Sequence, residues 1–394
     1  MRYLLSVFFL LLFFFFSCSK NENVQLDEST LQIDISDYID IDLNELYNYA
    51  NQSVPNYILK DNTPLNNPIT DEGATLGRVL FYDVNLSATN TVSCASCHIQ
   101  EHAFGDLNQQ SQGINGLTPR HSMRLINARF ATESKFFWDE RAASLEAQTT
   151  NPIRDHIEMG FSGENGDMNF DDLILKLQNL PYYPILFANA FDSETITETR
   201  IQNALAQFVR SIQSFDSKYD QGRASVNNDN QPFPNFTPVE NLGKDLFNQP
   251  PAFNPNGVRT SGGVGCAGCH QGPEFDIDPN SLNNGVIGTI SGNQTDLSIT
   301  RAPTLRDIVK QNTESNGGFM HIGISNNLIT VIEHYNQINL NGNTNLDPRL
   351  SPGGQPQNLN LTENEKLSLV AFLRTLSGSD VYINPKWSNP FYDN

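Results

Sequence analysis

Along this chain the apolar positions fall into one solid block, a few helical stripes and long stretches with no period. The block runs from Leu4 to Phe16, follows Arg2 and closes at Ser17-Cys18. It is too short for a spanning helix and has the layout of a secretory signal. From Ile201 to Phe215 the residues Ile201, Leu205, Phe208, Val209, Ile212 and Phe215 recur at helical spacing and predict a helix with one buried face. Asp171 to Leu180 predicts a shorter helix that stops before Pro181. Thr362 to Leu376 predicts a closing helix, with Thr362 as its cap, Glu365 completing a capping box, and Leu369, Phe372, Leu373 and Leu376 facing inward. Leu328, Ile332 and Tyr335 share one helical face, so the Tyr335 ring is expected to point inward. The Pro/Asn/Gly-rich stretch from Asn227 to Gly265 predicts loop and linker. Strand signals are few, and the expected fold is mostly α with long irregular loops.

The chain repeats itself once. Leu76-Gly77-Arg78-Val79-Leu80-Phe81 and Leu242-Gly243-Lys244-Asp245-Leu246-Phe247 share a Leu-Gly-x-x-Leu-Phe pattern, and each precedes a Cys-x-x-Cys-His motif. An old duplication predicts two similar domains, over residues 54–225 and 226–394. Before them come the signal, 1–18, and a polar, acidic tether and loosely packed lead-in, 19–53.

Charge narrows the partners. A formal net charge of -20 over 394 residues leaves nothing to neutralise phosphate, so a nucleic-acid partner is excluded. There are five cysteines: Cys18, Cys94, Cys97, Cys266 and Cys269. Cys18 ends the apolar block in a sequence resembling a bacterial lipobox, which predicts export and a lipid anchor in the periplasm or cell envelope. An ordinary signal or an uncleaved anchor is the alternative. The other four form two pairs, each followed by histidine, and none remains for a structural disulfide.

Two cysteines three apart can form thioethers to the two vinyl groups of one porphyrin, and the next histidine then falls under the iron. Half a zinc site and a redox dithiol share the Cys-x-x-Cys pattern. Both fit poorly with an adjacent histidine in each motif and an exported chain. Two covalent haem c groups are therefore expected, held by Cys94, Cys97 and His98 and by Cys266, Cys269 and His270.

The residues around these motifs resemble those of the bacterial di-haem cytochrome c peroxidase/MauG family. The likeness runs from about residue 54 to 378 and rests on a specific combination of motifs. Leu76-Gly77, Asp83, Leu86-Ser87 and Ser93 to His98 open it. Ser111-x-Gly113-x-x-Gly116, Pro119-Arg120 and Phe136-Phe137-Trp138-Asp139-Glu140-Arg141-Ala142 continue it, with Glu140 where the family usually has glycine. Gln148, Pro152, Glu158-Met159-Gly160, Arg301-Ala302-Pro303-Thr304-Leu305-Arg306 and Met320-His321 complete it. The resemblance implies that the His98 haem is peroxidatic and the His270 haem admits electrons. It implies that Trp138 couples the two, that Glu158 is the distal acid–base group, and that Gln148 lines the same pocket. Partners implied are hydrogen peroxide and a small donor protein, a cytochrome c or cupredoxin; homodimers are frequent in the family.

The chain departs from the family pattern in three places. The removable distal histidine of many members would fall near Gly113, where this sequence has none, so the first haem is expected to be open; His102 and His121 are the residues that could swing in. The sixth ligand of the second haem is methionine in the better-known peroxidases and tyrosine in MauG. Here Tyr335 is the expected ligand, with Met320 and His334 as alternatives. Calcium (Ca2+) in the family uses an asparagine side chain after Pro-Arg and backbone carbonyls before Met-His. That asparagine is His121 here, while carbonyls near Asn316 and Gly318 remain, which leaves calcium open. The leading expectation is reduction of peroxide to water. A MauG-like oxidase acting on an organic or protein substrate is second, and a non-catalytic electron carrier third.

Overall fold

The computed structural model describes residues 34–392 apart from 278, 293 and 341. The apolar block, Cys18 and residues 19–33 of the expected tether and lead-in lie outside the described residues. Helices dominate: α1 (Asp71–Tyr82), α2 (Leu145–Thr149), α3 (Asn151–Arg154), α4 (Phe170–Gln178), α5 (Tyr182–Phe191), α6 (Glu198–Ser211), α7 (Lys218–Arg223), α8 (Pro238–Asn248), α9 (Leu328–Asn336) and α10 (Glu363–Arg374). Strands occur in antiparallel pairs: β1 (Gln112–Gly113) with β2 (Gly116–Leu117), β3 (Pro251–Phe253) with β4 (Arg259–Gly262), and β5 (His270–Gln271) with β6 (Asp276–Ile277). Among the described residues no helix is long and apolar enough to cross a membrane.

Local chemistry explains the helix limits. In α10 Thr362 accepts from the Glu365 N–H while the Glu365 carboxylate takes the Thr362 N–H, the reciprocal cap read from the sequence. The stripe expected to run to Phe215 leaves helical geometry at Ile212, with ψ 106. Ile212 nevertheless stays fully buried, and Phe215 meets Phe130 edge to face with ring centroids 4.8 Å apart, so the apolar pattern outlasts the helix.

Two expectations are corrected. The stretch 227–265 is structured: α8 starts at Pro238 with a Thr237/Glu240 capping box, and the β3–β4 hairpin follows. The lead-in is packed from Ile35 onward, with Ile39 and Tyr49 fully buried. A bridge between Ile39 and Phe391 ties this segment to the end of the chain. The C-terminal segment thus returns to the first half, and its Trp387 is buried in that core.

Two hydrophobic clusters divide near residues 212–219. The first is built from Ile35 to Ile212 plus Val381 and Trp387, the second from Tyr219 to Leu376. Each is organised by one helix crossing. α1 crosses α6 at Gly77, where a Cβ would overlap the Ala204 carbonyl and press on Phe208. α8 crosses α10 at Gly243, where it would overlap the Ser368 carbonyl and press on Phe372. The repeated Leu-Gly pattern is thus a requirement for backbone approach, met the same way twice. Gly77→Val and Gly243→Val should each cost at least ~1–3 kcal/mol, because the obstacle is backbone that cannot rotate away. A thermal melt followed by circular dichroism checks this.

Candidate functional site

The first motif is wound into a tight 3-10 turn, Cys94–Ser96, whose entry is held by the Ser93 N–H donating to Ser96 Oγ at 3.0 Å. The His98 N–H donates to the Cys94 carbonyl at 3.0 Å, which sets the histidine one turn beyond the first thiol and next to the second. The chain then doubles back: Ile99 pairs with Gly105, and Ala103 and Phe104 adopt left-handed backbone. That reversal brings the Phe104 carbonyl to 3.0 Å from His98 Nδ1. Nδ1 therefore carries the proton, and Nε2 keeps its lone pair for a metal.

His98 lines a cavity of about 60 Å³ together with Cys94, Cys97, Gln148, Glu158 and Gly113. Gln148 projects from α2. Glu158 sits in the turn after α3, where the Asp155 carboxylate accepts the Ile157 N–H at 2.8 Å and the Glu158 N–H at 3.0 Å. From the other side the β1–β2 hairpin clamps the turn, with the Ile114 and Asn115 N–H groups each donating at 3.1 Å to the Glu158 and Ile157 carbonyls. Gly113 makes this possible, since a Cβ there would overlap the Ile157 carbonyl. Burial first, then the neighbouring Asp155 charge, pushes the Glu158 carboxyl up to about 7, against an opposing pull from Arg141. Neither His102 nor His121 lines this cavity.

The second motif repeats the turn at Cys266–Gly268 and opens on a cavity of about 610 Å³, within the range of cofactor pockets. Cys266, Cys269 and His270 wall it, and so do Met320 and Tyr335. Tyr335 comes from α9, whose Leu328 and Ile332 are buried on the same face. His334 turns aside: its Nε2 is 2.8 Å from the Asn284 carbonyl. Burial pushes the Cys94 and Cys266 thiols up to about 12, leaving them neutral.

The donor set at each place, two cysteine thiols and a histidine, suits a haem, and the cavity at His270 has the room for one. Among the described residues no cluster of three or more His, Cys, Asp or Glu side chains is arranged for a metal ion, so neither motif has the further ligands of a zinc site. The larger cavity also holds two residues that the sequence reading did not assign to the site. Arg124 and Arg301 wall it, burial pushes both down to about 10, and Arg124 Nε and Arg301 Nε and Nη1 lack hydrogen-bond partners. Buried guanidinium groups without a bonded carboxylate suit the propionates of a porphyrin. For Arg301 the motif that contains it was a signal; for Arg124 the sequence held none.

Segment 118–125 borders both cavities: Thr118 and Leu125 line the first, His121 to Arg124 the second. Trp138 hooks onto it, with Nε1 donating to the His121 carbonyl at 2.8 Å and the ring centroid 6.3 Å from that of His321. The Trp138 carbonyl accepts the Thr300 and Arg301 N–H groups, both at 3.1 Å. Its turn needs left-handed backbone at Glu140, φ 54, a conformation that glycine adopts without strain. His121 is buried, its Nδ1 3.0 Å from the Asn108 carbonyl. An engaged imidazole at this position gives a hard cation no side-chain oxygen.

The family model for di-haem cytochrome c peroxidase matches residues 71–228. The chain is 30% identical to the methylamine utilization protein MauG of Methylorubrum extorquens over 331 residues, 81% of this chain and 82% of that one. It is 27% identical to the cytochrome c551 peroxidase of Nitrosomonas europaea over 334 residues, 79% of this chain and 81% of that one. Among solved structures, a MauG-like protein associated with microbial copper homeostasis aligns with TM-score 0.64 and 29% identity, covering 86% of this chain and 99% of that one.

Proposed function

Because the chain belongs to the di-haem cytochrome c peroxidase/MauG family of oxidoreductases, we propose that it reduces hydrogen peroxide to water with electrons from a small donor protein. The observation that carries this reading is the convergence of Glu158 and Gln148 on the cavity of His98. Two haems, attached through Cys94 and Cys97 and through Cys266 and Cys269, would supply redox-active iron at each cavity. The overall balance is one peroxide, two electrons and two protons to two waters. Glu158 takes the proton from one peroxide oxygen and returns it to the departing one, a relay suited to a carboxyl whose pKa lies near neutrality. Gln148 offers an amide to orient the oxidant. Gly113 leaves the distal side without a blocking side chain.

The domains are read as 54–225 for the peroxidatic half and 226–394 for the electron-entry half, related by duplication and exported with a lipid at Cys18. Trp138 is the coupling residue between them. Trp138→Phe removes the hydrogen bond to the His121 carbonyl and should slow electron passage between the haems while both remain attached; stopped-flow reduction with a cytochrome checks this. We read the chain as calcium-independent. A chelator such as EGTA should leave turnover unchanged, and His121→Asn should create calcium binding; calcium copurifying at one per chain would contradict this.

Tyr335 in the second cavity favours one other reading, a MauG-like oxidase of an organic or protein substrate. Adding one equivalent of peroxide separates the two. Rapid peroxide loss with oxidation of a reduced cytochrome supports the peroxidase, and a long-lived oxidised state of the diferric protein supports the oxidase.

A further inference from the structure

Two donors of opposite chemical character reach the cavity of His270 from separate segments, and a single side chain holds both. Asn284 Nδ2 is 3.2 Å from Met320 Sδ and 3.4 Å from Tyr335 Oη. The amide cannot be turned over, because Asn284 Oδ1 accepts the Val286 N–H at 3.0 Å. Both N–H bonds of the amide are therefore available, one for each acceptor. The frame around them is tied as well. The Asn284 carbonyl meets His334 Nε2 at 2.8 Å, and Gln357 Nε2 donates to the Tyr335 carbonyl at 2.7 Å. Met320 holds left-handed backbone, φ 63, in a turn closed by the Gly323 N–H on its carbonyl at 3.1 Å. A methionine keeps that conformation only where its surroundings enforce it, and such residues cluster at working sites.

We propose that Met320 and Tyr335 are alternative ligands for one iron, the iron carried by His270, exchanged when its oxidation state changes, with Asn284 as the positioning residue that retains the idle one. The inference rests on the reading of a haem at Cys266, Cys269 and His270. A phenolate is a hard anion and prefers ferric iron; a thioether is soft and prefers ferrous iron. One electron from an external one-electron donor reduces ferric to ferrous. The bond from iron to Tyr335 oxygen breaks, the bond from iron to Met320 sulfur forms, and the released phenolate takes one proton from solvent. Oxidation reverses all three changes. Tyr335 so released is left as a neutral hydroxyl beside the Asn284 amide, which is where the structure has it.

The test uses the purified di-haem protein, with electron paramagnetic resonance and magnetic circular dichroism on the oxidised form, and carbon monoxide binding on the dithionite-reduced form. The wild type should show a tyrosinate-type ferric signal and a low-spin ferrous second haem that excludes carbon monoxide, which then binds at one per chain. Met320→Leu should leave the ferric signal and raise carbon monoxide uptake to two per chain. Tyr335→Phe should give a thioether-type ferric signal. Asn284→Ala should add a slow spectral phase after reduction; its absence would remove Asn284 from the proposal. A wild-type ferrous second haem that already binds carbon monoxide, a thioether signal in the wild-type ferric form, or an unchanged ferrous form in Met320→Leu would each overturn the exchange. A haem count below two per chain would instead overturn the reading on which it rests.

Discussion

Replacing Glu158 by glutamine is expected to slow peroxide consumption by about 10²–10⁴-fold while leaving both haems attached. Glutamine keeps the size and the hydrogen-bonding reach of the side chain, so the turn clamped by Asp155 and the β1–β2 hairpin should persist. What disappears is the capacity to accept and return a proton. The pH profile gives an independent reading. With the carboxyl pushed up to about 7 by burial and by Asp155, the proton-accepting form is scarce in acid and dominates above neutrality. Peroxide cleavage by the wild type should therefore climb with pH through about 7, and Glu158→Gln should lose that limb. Asp155→Asn keeps an oxygen to cap the Ile157 and Glu158 N–H groups but removes the negative charge. Its midpoint should move toward acid with the maximal rate little changed. An unaltered rate in Glu158→Gln would take this carboxyl out of the mechanism.

How much of this could be read from the sequence depended on whether the determining contact was local. Capping boxes and the Cys-x-x-Cys-His turns are set within a few residues, and α10 and the two cysteine motifs were legible for that reason. α8 carried the same kind of signal in Thr237, Pro238 and Glu240, but proline, asparagine and glycine on both sides masked it. The segment from Ile35 looked like tether because its apolar residues have no period. Ile39 is buried by contact with the far end of the chain instead, a pairing no window of sequence reveals. The same division holds in the site. The family resemblance brought Gln148 and Glu158 to notice, and the structure sets both in the cavity of His98. The Phe104 carbonyl reaches His98 through a local reversal that no apolar period announces, whereas Arg124 and the Asn284 amide act across long sequence separations, where only folding shows what they touch.

Arg306→Met is expected to destabilise the protein by about 3–5 kcal/mol and to perturb the surroundings of the second haem preferentially. Arg306 is fully buried and grips Asp220 in a two-point pair, Nη1 to Oδ2 at 2.9 Å and Nη2 to Oδ1 at 3.0 Å. Its Nη2 also donates to the Pro273 carbonyl at 2.8 Å, three residues beyond His270. The guanidinium lies 5.0 Å from the Phe215 ring and 5.5 Å from the Tyr219 ring, within an aromatic wall of the second core. Removing it leaves the Asp220 carboxylate buried without its cation, which costs far more than the pair contributes when intact. Arg306→Met combined with Asp220→Leu should recover much of the loss, because neither charge then remains to be solvated. The pair also sets an acid limit. Despite its burial, Asp220 is held below the usual carboxylate range by Arg306 and by hydrogen bonds from Ser217 and Tyr57. A depressed folded-state pKa stabilises the protein above the unfolded value of about 3.9 and stops doing so as pH falls through the folded one. The wild type should thus lose stability below about pH 4, while the double variant should be less sensitive there. Urea unfolding across pH, followed by the Soret band of each haem, would show whether the second half goes first. Equal acid sensitivity in the wild type and the double variant would mean that this pair does not govern it.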